Sequence, residues 1–330
     1  MRRIGPLGVS LLAALFLLAG IFVSRAAAAN RWGANYFPNV PLTTQDGNTV
    51  HLYDDLLKGK TVVVSLFYSE CQDSCPLETA RLVQVQKMLG DHVGKDVFFY
   101  SISIDPEHDT PAVLKAYAEK FHVGPGWLFL TGKKADIDLV GRKLGLDADP
   151  TLNRDGHTVD LMIGNEPTGQ WLRNSATDNA RFLATNISTL IDGWNRHKPE
   201  VAAKSYAQAQ PLAVTDRGQY LFATRCAPCH TIGNGVKIGP DLQGVTSMRD
   251  RTWLLRFIQK PDVMLTEKDP LATALFKQYK EIRMPNVRLG PDDTEALVKY
   301  LEGQTAKSGH VASTTKSGEN EKAERKGLEN

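Results

Sequence analysis

The stretch CAPCH at 226–230 constrains this chain more than any other part of it. Two thiols two residues apart can reach the two vinyl groups of one haem, and the adjacent histidine turns beneath the ring to ligate iron. A redox-active pair has the same Cys-x-x-Cys spacing, but it ordinarily follows a strand in an α/β unit. Here the pair follows a helical stretch, TDRGQYLFATR, in a region without strand-like runs. The spacing therefore predicts one haem c held covalently by Cys226 and Cys229, with His230 on the iron.

The chain has 330 residues, too long for one typical domain and comfortable for two. Its formal net charge is +2. Arg2, Arg3 and Arg25 lie in an N-terminal leader that holds no acid, so the remainder carries −1. Near-neutral protein has no electrostatic footprint for nucleic acid, and that class is set aside. The leader, residues 1–29, has two arginines, an uncharged run from Ile4 to Ser24 and small residues at Ala26–Ala29. That layout predicts a signal peptide cut near Asn30; the run is also long enough for an uncleaved N-terminal membrane anchor. Either way the rest of the chain is expected to be exported and periplasmic, soluble or held at the outer face of the inner membrane. In an oxidising compartment unpaired cysteines are seldom idle, and the other two are Cys71 and Cys75.

The first two-thirds alternates strand and helix patterns. TVVVSLF, DVFFYSISI and WLFL read as strands; PLETARLVQVQKML, PAVLKAYAEKF and ADIDLVGRKLGL read as helices. In the first helix Leu77, Leu82, Val85 and Met88 fall near one face. Thr110 suits an N-cap and Pro111 the first helical position. TVDLMIG and GQWLR read as a hairpin and ARFLATNISTLIDGW as a closing helix, which together predict helices packed around a mixed sheet. Residues 197–211 read as a linker. Beyond it come helices near 214–225, 249–259, 269–280 and 292–302, no convincing strand, and a polar stretch over 304–330 with little to bury.

GQYLFATRCAPCHTIGNGVKIGPDLQGV resembles the start of a class I cytochrome c, and the resemblance covers residues 212–303. It implies a small all-α domain in which Gly239, Pro240 and Leu242 lie against the ring. The carbonyl of Pro240 then accepts a hydrogen bond from His230 and orients it. The sixth iron ligand is expected to be a methionine. Met284 stands in the family's context, RMPN; Met264 and Met248 are the alternatives, and filling the core is the plainer role of any of them. The terminal helix is expected to cross the first at Gly218 and Phe222.

Cys71 and Cys75 sit where an apolar run ends and a helix begins, with Pro76 at an early helical position. A helix N-terminus lowers thiol pKa, so the pair is placed for thiolate chemistry. A structural pair, a dithiol–disulfide couple and a metal site all fit these residues; soft thiolates with an imidazole select copper or zinc. CQDSCP, SISIDPEHDTPAVLKAYAEKF and WLFLTG, with Asp73, Pro76, Asp105, Pro106 and Asp109–Pro111 at family positions, resemble the Sco/SenC family over residues 33–196. That resemblance implies a thioredoxin-like fold, delivery of copper to a respiratory oxidase, and copper held by Cys71, Cys75 and His157. The family's Asp-His is Gly-His at 156–157 here. His51, His92, His108 and His122 have no motif behind them.

The expected whole is an α/β thioredoxin-like domain followed by a small all-α cytochrome c domain. The expected function is a copper metallochaperone for a respiratory copper site, with haem c exchanging one electron with the copper or thiols. Its partners would be a cytochrome c oxidase subunit or another copper acceptor, and respiratory electron donors or acceptors. The enzymatic alternative uses Cys71 and Cys75 as catalytic thiols of a haem-linked thiol–disulfide oxidoreductase. A third reading leaves the haem domain as a docking module alone. His/Met ligation raises haem potential. Across a gap on the order of 300 mV, driving two electrons from haem into a disulfide costs about 14 kcal/mol. A haem of that kind is a poor disulfide reductant.

Overall fold

The computed structural model describes residues 32–71, 74–146, 159–192 and 216–304. The leader, the 197–211 linker, residues 305–330 and His157 lie outside the described residues. Seven strands form one mixed sheet: β1 (Pro41–Thr44), β2 (Thr49–His51), β3 (Thr61–Phe67), β4 (Val97–Ser103), β5 (Trp127–Gly132), β6 (Asp160–Asn165) and β7 (Gln170–Ser175). Their order is β2-β1-β5-β4-β3-β6-β7. Strands β3, β4 and β5 are mutually parallel, and the outer pairings are antiparallel. β3 is buried along its whole length, as its unbroken apolar run requires, and its residues alternate between two cores. Val63 and Phe67 face one; Val62, Val64 and Leu66 face the other.

Helices α1 (Cys75–Leu89), α2 (Pro111–Lys120) and α4 (Ala180–Asp192) cover the first face; α3 (Lys134–Leu144) and a wide helical turn over Leu52–Leu57 cover the second. The Thr110 hydroxyl caps α2 by accepting from the Val113 amide, as its sequence predicts. The expected strands and helices of this part are all present. The short β1–β2 hairpin and the turn after it were not legible as elements.

The C-terminal part is helical, as expected. α5 (Arg217–Leu221) continues in wider turns to Cys226, followed by α6 (Arg251–Gln259), α7 (Pro261–Thr266), α8 (Pro270–Gln278) and α9 over 291–304. Carboxylates of Asp216, Asp250 and Asp269 accept the amides of Gln219, Trp253 and Ala272, so α5, α6 and α8 each start on an aspartate cap. α9 crosses α5 at Gly218, where a Cβ would meet the Ala296 carbonyl oxygen at 2.1 Å. Phe222 and Tyr300 meet beside it, ring centroids 5.9 Å apart. The expected crossing of first and last helices is therefore the one observed. α7 and a one-turn helix over Val245–Met248 were not expected; both are too short to show a period.

Candidate functional site at the meeting of two domains

Cys71 closes the loop after β3, and Cys75 is the first residue of α1. Both are buried, 4% and 1% exposed. The Cys75 amide points at the Cys71 sulfur, 3.5 Å away, so the helix start and the loop share one corner. The expectation that the helix terminus lowers thiol pKa fails at Cys75. Burial pushes this thiol well up, and Cys71 and the Glu78 charge push the same way. Desolvation outweighs the terminus because this end of α1 is enclosed.

Asp109 holds the loop in place. Its buried carboxylate accepts the Ser69 amide at 3.1 Å and the hydroxyls of Ser69 and Ser103. One acid thus ties the residue two before Cys71 to the end of β4. In the sequence Asp109 stands out only as a family position ahead of the Thr110 cap, and this anchoring role is not legible there. His108 pairs with Asp105 at 3.0 Å, His92 with Asp96 at 2.7 Å and His51 with Asp55 at 3.4 Å. No cluster of three or more His, Cys, Asp or Glu with metal-site geometry occurs among the described residues. Two soft sulfurs at one corner could hold part of a soft-metal site; His157 lies outside the described residues.

In the C-terminal part, the His230 amide donates to Cys226 O at 2.9 Å, so the CAPCH turn is helical and compact. The His230 ring donates from Nδ1 to the Pro240 carbonyl at 2.9 Å, which leaves Nε2 free of that bond, and the residue lines an apolar crevice. Burial holds His230 below its usual pKa against the opposing pull of the Pro240 carbonyl, so the neutral ring is favoured. Gly239 must be glycine: a Cβ there would lie 2.6 Å from His230 Cε1. Met284 lines the same crevice as His230, along with Phe257, Leu275 and Ile282. Met264 is buried elsewhere, 1% exposed, and Met248 is 58% exposed. The crevice is open at its mouth and lined mostly by apolar side chains. An apolar slot with an oriented imidazole on it, a thioether in its lining and a Cys-x-x-Cys at its edge fits a haem c.

The two sites share a wall. Phe276, Ile282 and Arg283 line the His230–Met284 crevice, and they also line a cleft that opens on Cys71, Pro76 and Tyr117. Arg283 stacks its guanidinium 5.4 Å from the Phe276 ring centre, which stiffens that wall. Across the remaining contact, Arg81 of α1 donates to Thr224 O, and Gln84 donates to Ala227 O at 3.2 Å. Neither residue was singled out from the sequence.

Residues 31–162 match the SCO1/SenC family model, and residues 215–305 match that of cytochrome c. The chain thus carries an SCO1/SenC domain followed by a cytochrome c domain. The Sco part is similar to an SCO2-like protein of Rickettsia felis, 29% identical over 143 residues, or 41% of this chain and 67% of that one. It is also similar to the SCO1 protein homolog of Bacillus subtilis, 37% identical over 90 residues, 27% of this chain and less than half (45%) of the Bacillus protein. Among solved structures, Bradyrhizobium japonicum ScoI with copper bound is 28% identical over 46% of this chain and 96% of its own, TM-score 0.39. The cytochrome c domain of a Pseudomonas putida protein is 54% identical over 27% of this chain and 88% of its own, TM-score 0.26. The Sco domain thus owns the Cys71–Cys75 corner, and the cytochrome domain owns the crevice beside it.

Proposed function

We propose that this Sco protein is an exported copper chaperone whose cytochrome domain exchanges one electron with the copper it carries. Cys71 and Cys75 hold the copper, with His157 as third ligand; thiolates suit Cu(I), and the added imidazole lets the site hold Cu(II). Cys226 and Cys229 would anchor the haem, His230 and Met284 would supply its iron ligands, and the Pro240 carbonyl orients the His230 ring. When bound, the haem supplies a one-electron couple of raised potential. The observation that carries the reading is the shared wall: Phe276, Ile282 and Arg283 face the Cys71 cleft on one side and the His230–Met284 crevice on the other. Electron counts favour copper over a disulfide. Copper passing from +1 to +2 releases one electron, whereas a dithiol closing to a disulfide releases two electrons and two protons. The copper acceptor is a cytochrome c oxidase subunit or another copper protein. Residues 1–29 direct export, which the N-terminal mass of the mature protein checks.

The deciding experiment titrates copper into haem-loaded, thiol-reduced protein, following the haem α-band and the Cu(II) EPR signal together. A Cys71→Ser/Cys75→Ser variant serves as control. Stoichiometric, thiolate-dependent binding with a haem change independent of protein concentration is the expected result. Binding with an unmoved haem would remove the electron-exchange half of the reading. If copper does not bind through the thiols, the chaperone reading falls and the thiol–disulfide oxidoreductase takes its place.

A further inference from the structure

The two cysteines of the CAPCH turn face different cores. Cys226 packs against the cytochrome's own core of Leu221, Leu254, Leu297 and Leu301. Cys229 packs instead against the core of the Sco domain, together with Ile238 and Ile282. α1 is correspondingly buried around almost its whole circumference. Leu82, Val83 and Val85 belong to the apolar core, and even the charged Arg81 is only 3% exposed. Arg81 donates to Thr224 O and, at 3.0 Å, to Gln84 Oε1; Gln84 in turn donates to Ala227 O. Those two carbonyls belong to the last turn of the helix that ends in CAPCH. Carbonyls there lack intrahelical partners and form the negative end of the helix dipole, so a cation suits them. Few buried arginines are tolerated without such partners.

We propose that the cytochrome domain is docked on α1 as a fixed cover, not carried as a loose appendage. Arg81 and Gln84 fasten the haem-attachment turn, and Ile238 and Ile282 seal the apolar side of the contact. The cover lies over the Cys71 cleft, so ions and small molecules reach the thiols while a protein surface meets them only after the domain lifts. The covered face is thus also the face a macromolecular copper acceptor must use. The turn before Ile282 is shaped for this contact: Lys280 and Glu281 both adopt left-handed backbone, φ +57°. Two such residues in succession persist only where surrounding contacts over-determine them. The docking surface stands on contacts within this chain; only the copper acceptor rests on the reading given under Proposed function.

The test uses full-length, haem-loaded, copper-free protein with Cys71 and Cys75 reduced. Their labelling by a polymer-linked maleimide is compared with labelling by iodoacetamide in wild type, Arg81→Glu and Arg81→Lys. Haem absorption and far-UV circular dichroism check that each variant is folded, and ¹⁵N relaxation of the ferrous form reports whether the domains tumble as one. The expected result is wild type tumbling as one body. Arg81→Glu should loosen and take the bulky reagent about tenfold faster or more, because a buried charge-assisted contact is lost. Iodoacetamide rates should move less, and Arg81→Lys should return bulky labelling towards wild type. Independent tumbling of the two domains in wild type overturns the proposal, and so does equal bulky labelling of folded wild type and Arg81→Glu. Failure of copper–haem electron exchange would remove the function proposed above and leave these labelling rates unchanged.

Discussion

Asp109 is buried, acidic and 34 residues from the nearer thiol in sequence order, yet its carboxylate sets the path of the loop that ends in Cys71. Ser69 gives it both an amide and a hydroxyl, and Ser103 adds a second hydroxyl. Asp109→Ala leaves those donors unpaired in a dry site, and we expect a loss of about 1–3 kcal/mol in chemical denaturation. Copper affinity, measured by competition titration, should fall with it because the loop carries Cys71. The two inner methionines separate in the same way. Met264→Ala empties a packed position and should cost about 2–5 kcal/mol of stability without altering the haem spectrum. Met284→Ala should do the reverse, changing the ferric haem spectrum and lowering the potential at small cost to stability. A haem spectrum that responds to Met264 and ignores Met284 would reverse the axial assignment.

At the scale of elements, the loop between CAPCH and α6 hangs on Asp241. Burial opposes ionisation of this carboxylate, but the amides of Gln243, Gly233 and Gly235 and the Thr231 hydroxyl outweigh it and hold its pKa below the usual range. A carboxyl with a folded pKa below its unfolded one stabilises at pH above the unfolded value, about 4, and loses that stabilisation as pH falls through the folded value. Asp241→Asn should therefore melt at lower temperature than wild type at pH 7, with the difference shrinking below about pH 4. A gap that stays constant with pH would show that the charge contributes nothing. Sequence legibility also divides by element. β3, β4, β5 and the helices between them announce themselves through long runs of one period. β1 and β2, four and three residues long, owe their strand form to pairing, β1 with β5 some ninety positions on. The spacing of α1 groups Met88 with Leu77, Leu82 and Val85 near one face, yet Met88 is 55% exposed whereas Glu78 and Arg81 are buried. The pattern assumed one neighbour, and α1 has two.

For the whole molecule, the contact between domains is the Arg81 cation on one backbone carbonyl and the Gln84 amide on another, set in an apolar surround, not a pair of opposite surface charges. Such a contact is shielded little by salt, unlike exposed ion pairs, whose reach at physiological ionic strength is about 8 Å. Domain docking should therefore persist from low salt to about 0.5 M, with bulky labelling of the thiols changing less than about twofold. A steep rise in labelling with salt would point to surface charge as the fastening force. The amino-acid sequence by itself determined the two fold classes, the helix starts at Thr110 and Cys75, the CAPCH turn and the closeness of Cys71 to Cys75. Each of these depends on residues near one another along the chain: periodicity, a cap, a proline, a two- or four-residue spacing. The tertiary structure alone decided that burial raises the Cys75 thiol and that one wall serves both sites. Those outcomes depend on what surrounds a residue. The partners of Arg81 and Gln84 are backbone carbonyls 143 positions away, and a carbonyl carries no side-chain signature to read.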